Sequence, residues 1–444
     1  MNLKSILLLA TLGAGASTQA QTSSWVNDTV ITTQSYRNNV YYSFANGIAK
    51  ESHAKGWHIA LSKSTRSAAI FSNSADEGVK VYELAGVAKD SFGTDLTQAA
   101  VESITATPLS LYNSLQSWEV GAFNRNTGSN PFDFGWGVYD QQDHWVYGEK
   151  VYALITGADT FQIFFNEKQT ANVSNAPIYD FSFAKIDGTN VVNKTVELGG
   201  ATYGTQNFVY YNLLTDSLYS REPNSENWDI LFTNYNDSLT ASMWYGVFGV
   251  LNNVNTFVTR VDTSSAEISN LDYAQYTYTN SNINNIGRAW KAASQAGVVV
   301  YDSITYFAKV QNGDIWQLQF TKHISGTDTT ANSGLVAFQK RKVYTAPDTN
   351  VSVNNININL NNVVLAPNPA ENGTTNLLID VKNNTEKATI YVTDITGKTV
   401  AVRHTALKAG LNALPIQVAT YPSGIYMVNV QIAGENKTQK LIIQ

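Results

Sequence analysis

The sequence predicts an all-β protein, and three observations carry that reading. Apolar residues recur with period two in short runs: Val151-Tyr152-Ala153-Leu154-Ile155, Thr160-Phe161-Gln162-Ile163-Phe164-Phe165, Ile315-Trp316-Gln317-Leu318-Gln319-Phe320 and Ala388-Thr389-Ile390-Tyr391-Val392. Gly, Asn and Asp close these runs, and Gly157-Ala158-Asp159 and Asn312-Gly313-Asp314 read as hairpin turns. Aromatic residues make up 11% of the 444 residues, 24 of them Tyr, which suits pleated, half-buried surfaces better than helices. Helical stretches are few, and Leu96 to Ile104 is one short candidate.

Composition narrows the function classes. Charged residues are 14%, below the roughly 25% of an average soluble domain. The surface must therefore rely on Asn, Thr, Ser and Tyr, a habit of exported β proteins. A net charge of −6 argues against nucleic-acid or anionic-lipid partners. With no cysteine, zinc–thiolate sites, iron–sulfur clusters and Cys nucleophiles are excluded, and burial alone must hold the domains. Lys4, the apolar stretch Ser5 to Ala16 and Thr18-Gln19-Ala20 read as a signal peptide over residues 1–20. That apolar stretch falls short of the ~20 residues needed to span a bilayer, so no transmembrane segment is expected.

The chain repeats itself. VYYSFANGIAKESHAKGWHIAL (40–61) returns as VYYNLLTDSLYSREPNSENWDILF (209–232), and GEKVYALITGADTFQIFFNEK (148–168) aligns without a gap to SITYFAKVQNGDIWQLQFTKH (303–323). Matching anchors at both ends imply two tandem copies of one domain, residues 21–190 and 191–345. Trp57 and Trp228 are expected to anchor the cores of the two copies. Residues 346–362, rich in Asn and Thr, read as a linker. Seven short apolar runs over 363–444 predict a small Ig-like β-sandwich.

Residues 363–444 closely resemble the type A C-terminal sorting domain of the type IX secretion system of Bacteroidetes. Four motifs carry the likeness in family order: Pro367-Asn368-Pro369-Ala370, Asp394-Ile395-Thr396-Gly397-Lys398, Tyr421-Pro422-Ser423-Gly424-Ile425-Tyr426 and Lys440-Leu441-Ile442-Ile443. The resemblance implies Sec export, passage through the type IX machinery and a secreted or outer-surface location. A plain Ig-like carbohydrate-binding or adhesion module is the alternative for these residues. Each tandem copy resembles the HmuY family of haem-binding surface proteins. The shared residues are the aromatic opening strands (Tyr41-Tyr42-Ser43-Phe44; Tyr210-Tyr211), the Trp-led strand Asn227-Trp228-Asp229-Ile230, and the hairpin with Gly313-Asp314 and Gln319-Phe320-Thr321. That likeness implies antiparallel β domains and capture of haem or another flat or hydrophobic ligand.

An axial haem ligand must be an imidazole, thioether or phenolate, and the chain holds five His and three Met. No His or Met stands where the family's loop ligand falls in the second copy (Arg288 to Ala293). His144, in the loop Asp140 to Trp145, and Met243, in Met243-Trp244-Tyr245, are the local candidates for haem. Their ordinary roles are a surface-loop histidine and a packing methionine. His58 replaces Asp229 of the second copy and suggests a strand-edge role. His323, at a strand end, is expected to be solvated, and His404 belongs to the sorting module. Trp25, Trp118, Trp136 and Trp145 are candidates to stack on a sugar or porphyrin, although most aromatics must be core.

Catalytic motifs do not appear: there is no Gly-x-Ser-x-Gly, His-Glu-x-x-His or phosphate loop, nor an Asp-x-Asp-x-Asp calcium loop. Asp140 with Asp143, or Glu222 with Glu226, are carboxylate pairs of the kind glycoside hydrolysis uses, but solvated acids are their ordinary reading. The expectation is a non-enzymatic exported binding protein for haem, or a glycan- or protein-binding adhesion module on the same scaffold.

Overall fold

The computed structural model describes residues 24–347 and 360–443, apart from short breaks at 66, 158, 170–176, 200–201, 241–242, 295–296, 330–331, 372, 396–397 and 433–434. The expected signal peptide and residues 348–359 of the expected linker lie outside the described residues. Among the described residues, strands dominate and the single α-helix is α1 (Thr97–Ala106), close to its predicted position. The chain divides into two compact units, meeting in sequence at Ala346 and Pro347.

In the first unit, β1 (Val26–Ile31), β2 (Asn38–Ser43) and β3 (Gly47–His53) open the first copy. Its body continues as β4 (Ile59–Ser62), β5 (Ile70–Ser72), β6 (Lys80–Glu83), β7 (Gly137–Tyr139), β8 (Trp145–Gly148), β9 (Val151–Thr156), β10 (Asp159–Gln169) and β11 (Ile178–Lys185). The second copy opens with β12 (Val192–Glu197), β13 (Phe208–Asn212) and β14 (Ser217–Tyr219). Its body is β15 (Ile230–Thr240), β16 (Met243–Asn252), β17 (Phe257–Asp262), β18 (Lys291–Ser294), β19 (Gly297–Val300), β20 (Ile304–Lys309), β21 (Ile315–His323) and β22 (Leu335–Tyr344). The hairpins β9–β10 and β20–β21 fall at the two predicted turns.

The two copies exchange their opening strands. β1 pairs with β22, and β2 pairs with β15 through Tyr42↔Ile230. Reciprocally, β12 pairs with β11, and β13 pairs with β4 through Tyr211↔Ile59. One lobe is therefore built on β4–β14, and the other on β15–β22 closed by β1–β3. The sequence copies are not the folding lobes, and the reason is local. β12 follows β11 after a short connection, so the nearest antiparallel partner captures it and draws β13 along. The place this leaves in the second lobe is filled by the equivalent N-terminal strands.

Each lobe buries its largest core between two sheets. The first lobe packs β12-β11-β10-β9-β6, extended by β8 and β7, against β14-β13-β4-β5. The second packs β1-β22-β21-β20-β17 against β16-β15-β2-β3. Strand alternation explains the repeated Val-Tyr-Tyr. Val40 and Tyr42 enter the second lobe's core, where Tyr42 meets Phe232 and Phe338 edge-on. Val209 and Tyr211 enter the first, where Tyr211 meets Phe181 and Phe183. Both phenols end on an ion pair. Tyr42 donates to Asp28, which pairs with Lys340, and Tyr211 donates to Asp216, which pairs with Lys194.

His58 and Asp229 perform one structural task in the two copies. His58 Nδ1 accepts the Leu213 N–H at 3.0 Å, and an Asp229 carboxylate oxygen accepts the Phe44 N–H at 2.7 Å. Each fastens the end of an exchanged strand, in line with the strand-edge role expected for His58. His323 departs from its expectation: it is 7% exposed, stacked on Phe248 and Tyr36 rather than solvated. Burial holds its pKa down at about 4.

The second unit has the seven predicted strands: β23 (Leu360–Glu371), β24 (Thr374–Val381), β25 (Thr385–Asp394), β26 (Thr399–Leu407), β27 (Gly410–Gln417), β28 (Gly424–Ile432) and β29 (Glu435–Ile443). They form one path, β26-β25-β28-β29-β23-β24-β27, around a core that includes Val363, Leu377, Ile379, Val428, Val430 and Leu441. β23 makes the path continuous. It pairs with β24 as far as Ala366, its register slips before Glu371, and Ala370 then meets Ile443 in parallel. Pro367 and Pro369 have no N–H to continue the first ladder, which lets the strand change partners. Asn368, between them, donates to Lys440 O at 2.6 Å and accepts from Ile442 N at 2.9 Å. Gly424, Ile425 and Tyr426 face Ile443, Ile442 and Leu441 across the β28–β29 ladder. Three of the four terminal motifs thus meet on the last strand.

Candidate functional site

The strand exchange leaves one tyrosine of each Val-Tyr-Tyr on the opposite face, away from the lobe cores. Tyr41 and Tyr210 meet there with their hydroxyls 3.5 Å apart. Tyr41 packs edge-on against Trp228 at 5.1 Å, and Tyr210 against Trp57 at 4.9 Å. Each pair joins a residue of one copy to a residue of the other. Trp228 is a core residue, as expected, but of a small cluster with Tyr41 and Leu231 between the lobes, while Trp57 is half-buried against Tyr210; neither belongs to the two large lobe cores.

Around these pairs lies a cavity of about 100 Å³. The first lobe contributes Phe71, Trp118 and the loop Ser72 to Asp76; the second contributes Leu231, Tyr235, Leu251 and Ile283. Hydrogen bonds fix the lobes across it. Asn234 Nδ2 donates to Asp76 Oδ1 at 2.7 Å, Ser74 Oγ to Asn236 Oδ1 at 2.5 Å and Trp118 Nε1 to Asn252 O at 2.9 Å. Three lining side chains, Ser72, Trp228 and Tyr235, each hold a buried polar atom with no protein partner. Trp118, Asn207 and Phe208 also line a second, more open groove of about 530 Å³.

The cavity is desolvated and holds two carboxyl groups, Asp76 and Glu222, with no cation beside them in its lining. Its lining contains no Lys, Arg, His or Met. Burial pushes the Tyr41, Tyr210 and Tyr235 phenols well above their ordinary range, so none is poised to become a phenolate ligand. Burial raises the Asp76 carboxyl to about 6 and the Glu222 carboxyl to about 8. Glu222, 2% exposed, accepts the Phe208 N–H and is a structural acceptor. Its partner in the sequence-based acid pair, Glu226, is exposed and takes a hydrogen bond from Thr205. Among the described residues, no three His, Asp or Glu side chains cluster as a metal site.

Glu222 makes a pH prediction with a definite sign. Its folded pKa, about 8, lies above its unfolded value near 4.5, so the native state holds the extra proton between those pH values. Its contribution to stability is therefore fully present below about 4.5 and declines as pH rises to 8. Glu222→Gln keeps an acceptor without the charge. Urea unfolding should show the variant gaining on the wild type by a few kcal/mol between pH 5 and 8, on the order expected for a shift of this size.

The two haem-ligand candidates lie elsewhere. His144 sits in the β7–β8 turn with φ 68°, exposed, its Nδ1 2.7 Å from Tyr139 Oη. Met243, 55% exposed, begins β16. They belong to different lobes, and neither lines the cavity. Of the four tryptophans expected to stack on a ligand, Trp118 reaches the cavity, whereas Trp136 is fully buried in the first core. The lining residues Ser72, Asp76, Asn234 and Tyr235 carry no motif. The one signal pointing to them was the pair of tyrosines left over from each lobe's strand alternation.

Fold and cavity together define the class: an all-β protein whose two-lobed unit holds an aromatic-lined cavity, followed in the chain by a seven-stranded unit. Residues 364–444 match the family described as the secretion system C-terminal sorting domain. The chain thus carries a type IX sorting domain over those residues and is a protein secreted to the cell surface or the extracellular space. No curated protein matches the chain. Among solved structures it is similar to dimeric latent PorU from Porphyromonas gingivalis, at 12% identity and TM-score 0.16, over 68% of this chain and 32% of PorU. It is also similar to the trimeric ectodomain of the C. elegans fusion protein EFF-1, at 10% identity and TM-score 0.16, over 66% of this chain and 68% of that one. The chain spans about a third of the PorU chain, and neither likeness carries an argument at that TM-score. No helix among the described residues is long and apolar enough to cross a membrane.

Proposed function

We propose that the protein is a non-enzymatic binding protein of the cell surface or medium, delivered by its sorting domain and holding a small uncharged ligand between the two lobes. The observation that carries this reading is the inter-lobe cavity itself. Both copies contribute a Tyr and a Trp to it, and its lining mixes aromatic faces with asparagine amides. Binding sites are typically apolar concavities between domains with a few placed polar groups.

Several features favour a neutral ligand over haem, the other reading the sequence allowed. The lining offers no imidazole or thioether for iron and no cation for propionates, and its phenols are held protonated. The cavity is also smaller than the ~300–1,000 Å³ of sites for drug-sized molecules. Titrating the mature full-length protein with haemin, and separately with a panel of neutral small molecules, tests the choice. The expected result is a tryptophan-fluorescence change with a neutral ligand and no Soret shift. A Soret shift abolished by His144→Ala or Met243→Ala would restore haem capture.

A further inference from the structure

Three Asn-Gly pairs stand in the sequence, Asn46-Gly47, Asn312-Gly313 and Asn372-Gly373, and Asn372 lies outside the described residues. The other two close hairpins of the two-lobed unit, β2–β3 and β20–β21. Both asparagines are exposed, and both glycines are left-handed, at φ 81° and 89°. The turns differ in what holds the amide. Asn312 Nδ2 donates to Asp314 Oδ2 at 3.2 Å, and its Oδ1 accepts the Asp314 N–H at 2.9 Å. Asp314 is in turn fixed by Lys342 at 2.6 Å and by the Ala346 N–H at 2.9 Å, and the Gly313 N–H is donated to Val310 O at 2.8 Å.

The Asn46 side chain has no such partner among the described residues; its backbone N–H is donated to Ser43 Oγ at 3.4 Å. A Cβ built on Gly47 would meet no atom within 4 Å, whereas one on Gly313 would meet Ala346 Cβ at 3.0 Å. The pair Ser43↔Gly47 is also the last of its ladder, where a hairpin opens most easily. An amide free to turn, followed by a residue without a side chain, lets the next backbone nitrogen reach the side-chain carbonyl.

We propose that Asn46 is a site of spontaneous deamidation, at which the folded protein converts this residue to aspartate and isoaspartate while Asn312 is protected. The Gly47 amide nitrogen, having lost its proton, attacks Asn46 Cγ. That C–N bond forms, the bond from Cγ to Nδ2 breaks, and ammonia leaves with the proton. Water then opens the five-membered succinimide at either carbonyl. One opening gives aspartate; the other routes the main chain through the side chain and adds one backbone atom.

The hairpin gives this change a structural effect. Phe44, two residues earlier, is buried in the second lobe's core, stacks on Trp316 at 6.1 Å and gives its N–H to Asp229 at 2.7 Å. Either product adds a negative charge two residues from Phe44, and isoaspartate lengthens the loop between β2 and β3. Both loosen the end of the segment that completes the second lobe.

The test incubates the mature full-length protein at neutral and mildly alkaline pH and follows both sites by peptide mass mapping, with an isoaspartate-specific methyltransferase as a second readout. Turning the Asn312 amide toward Gly313 breaks two hydrogen bonds, so Asn46 should convert about 5- to 150-fold faster. Conversion should quicken at the higher pH, because the attacking nitrogen must shed its proton. In urea the two sites should convert at similar rates. Asn46→Gln, whose side chain would need a larger ring, should remove the isoaspartate signal at this position. Its first unit should also keep its melting temperature through incubation, while that of the parent protein falls. Equal rates at the two sites in the folded protein, or conversion of Asn312 first, would overturn the proposal. So would an Asn46 that stays intact in the folded chain while the chain in urea converts. Unchanged melting of the converted protein would overturn the effect assigned to the hairpin.

Discussion

A fragment of residues 24–190, one complete sequence copy, is expected to be unfolded in isolation, whereas residues 54–220 fold. The shorter-sighted division follows the repeat; the second follows the exchanged strands. Cutting at 190 removes Val196, Leu198, Val209, Tyr211 and Leu213 from the first core, all 4% exposed or less. At about 1.5–3 kcal/mol for each buried side chain, the loss is roughly 8–15 kcal/mol, as large as the whole stability of a typical domain. The sheet β14-β13-β4-β5 also loses two of its four strands. Meanwhile Val30, Val40, Tyr42 and Phe44 stay in the fragment with no second lobe to enter. The fragment 54–220 keeps β4 to β14 and the complete first core. It exposes Phe71, Phe208 and Tyr210 where the other lobe should sit, so it should self-associate while retaining a cooperative melt. Circular dichroism and urea titration of both fragments decide the matter. A cooperative transition with near-ultraviolet signal in 24–190 would contradict the exchange.

That contrast marks where sequence reasoning reached and where it stopped. Alternation in runs such as Thr160 to Phe165 placed strands, and Gly313 placed a turn, because period and turn chemistry are local. The seven runs after Val363 became seven strands for the same reason. The repeat was visible because matching anchors recur over about 150 residues, but which copy receives a strand depends on connection length and competing partners. Nothing in Val40-Tyr41-Tyr42 itself distinguishes β4 from β15 as its neighbour. The site suffered most from this. Tyr41 and Tyr210 look like core residues until the exchange turns them toward each other, and Ser72 and Asp76 reach the cavity from an unremarkable loop. His323, read as a solvated strand end, is covered by Tyr36, which comes from the exchanged N-terminal segment, and by Phe248 of β16.

Removing residues 435–444 is expected to abolish delivery to the cell surface while leaving the two-lobed unit folded. β29 pairs with β28 from Glu435↔Ile432 to Ile443↔Gly424, so its loss strips one side of β28 along its whole length. It also takes Leu441 and Ile443 from the core, at about 1.5–3 kcal/mol each, and leaves Asn368 without both its backbone partners. A domain of this size has a total stability of only about 4–12 kcal/mol, at the usual 0.05–0.15 kcal/mol per residue. Unfolding of this unit is therefore the expected result, and the type IX machinery is left without a folded signal. Asn368→Ala separates strand loss from the local clasp. Asn368 is exposed, so water can take over part of its two hydrogen bonds, and the cost should be about 1 kcal/mol. That variant should reach the surface in reduced amount, with the melting of the first unit unchanged. Protease accessibility on intact cells reads delivery, and a two-transition melt reads the units separately. Full surface exposure of the truncated chain would show that the signal resides in the motifs around Pro367 and Asp394 without the last strand, and export would not depend on the fold of this unit.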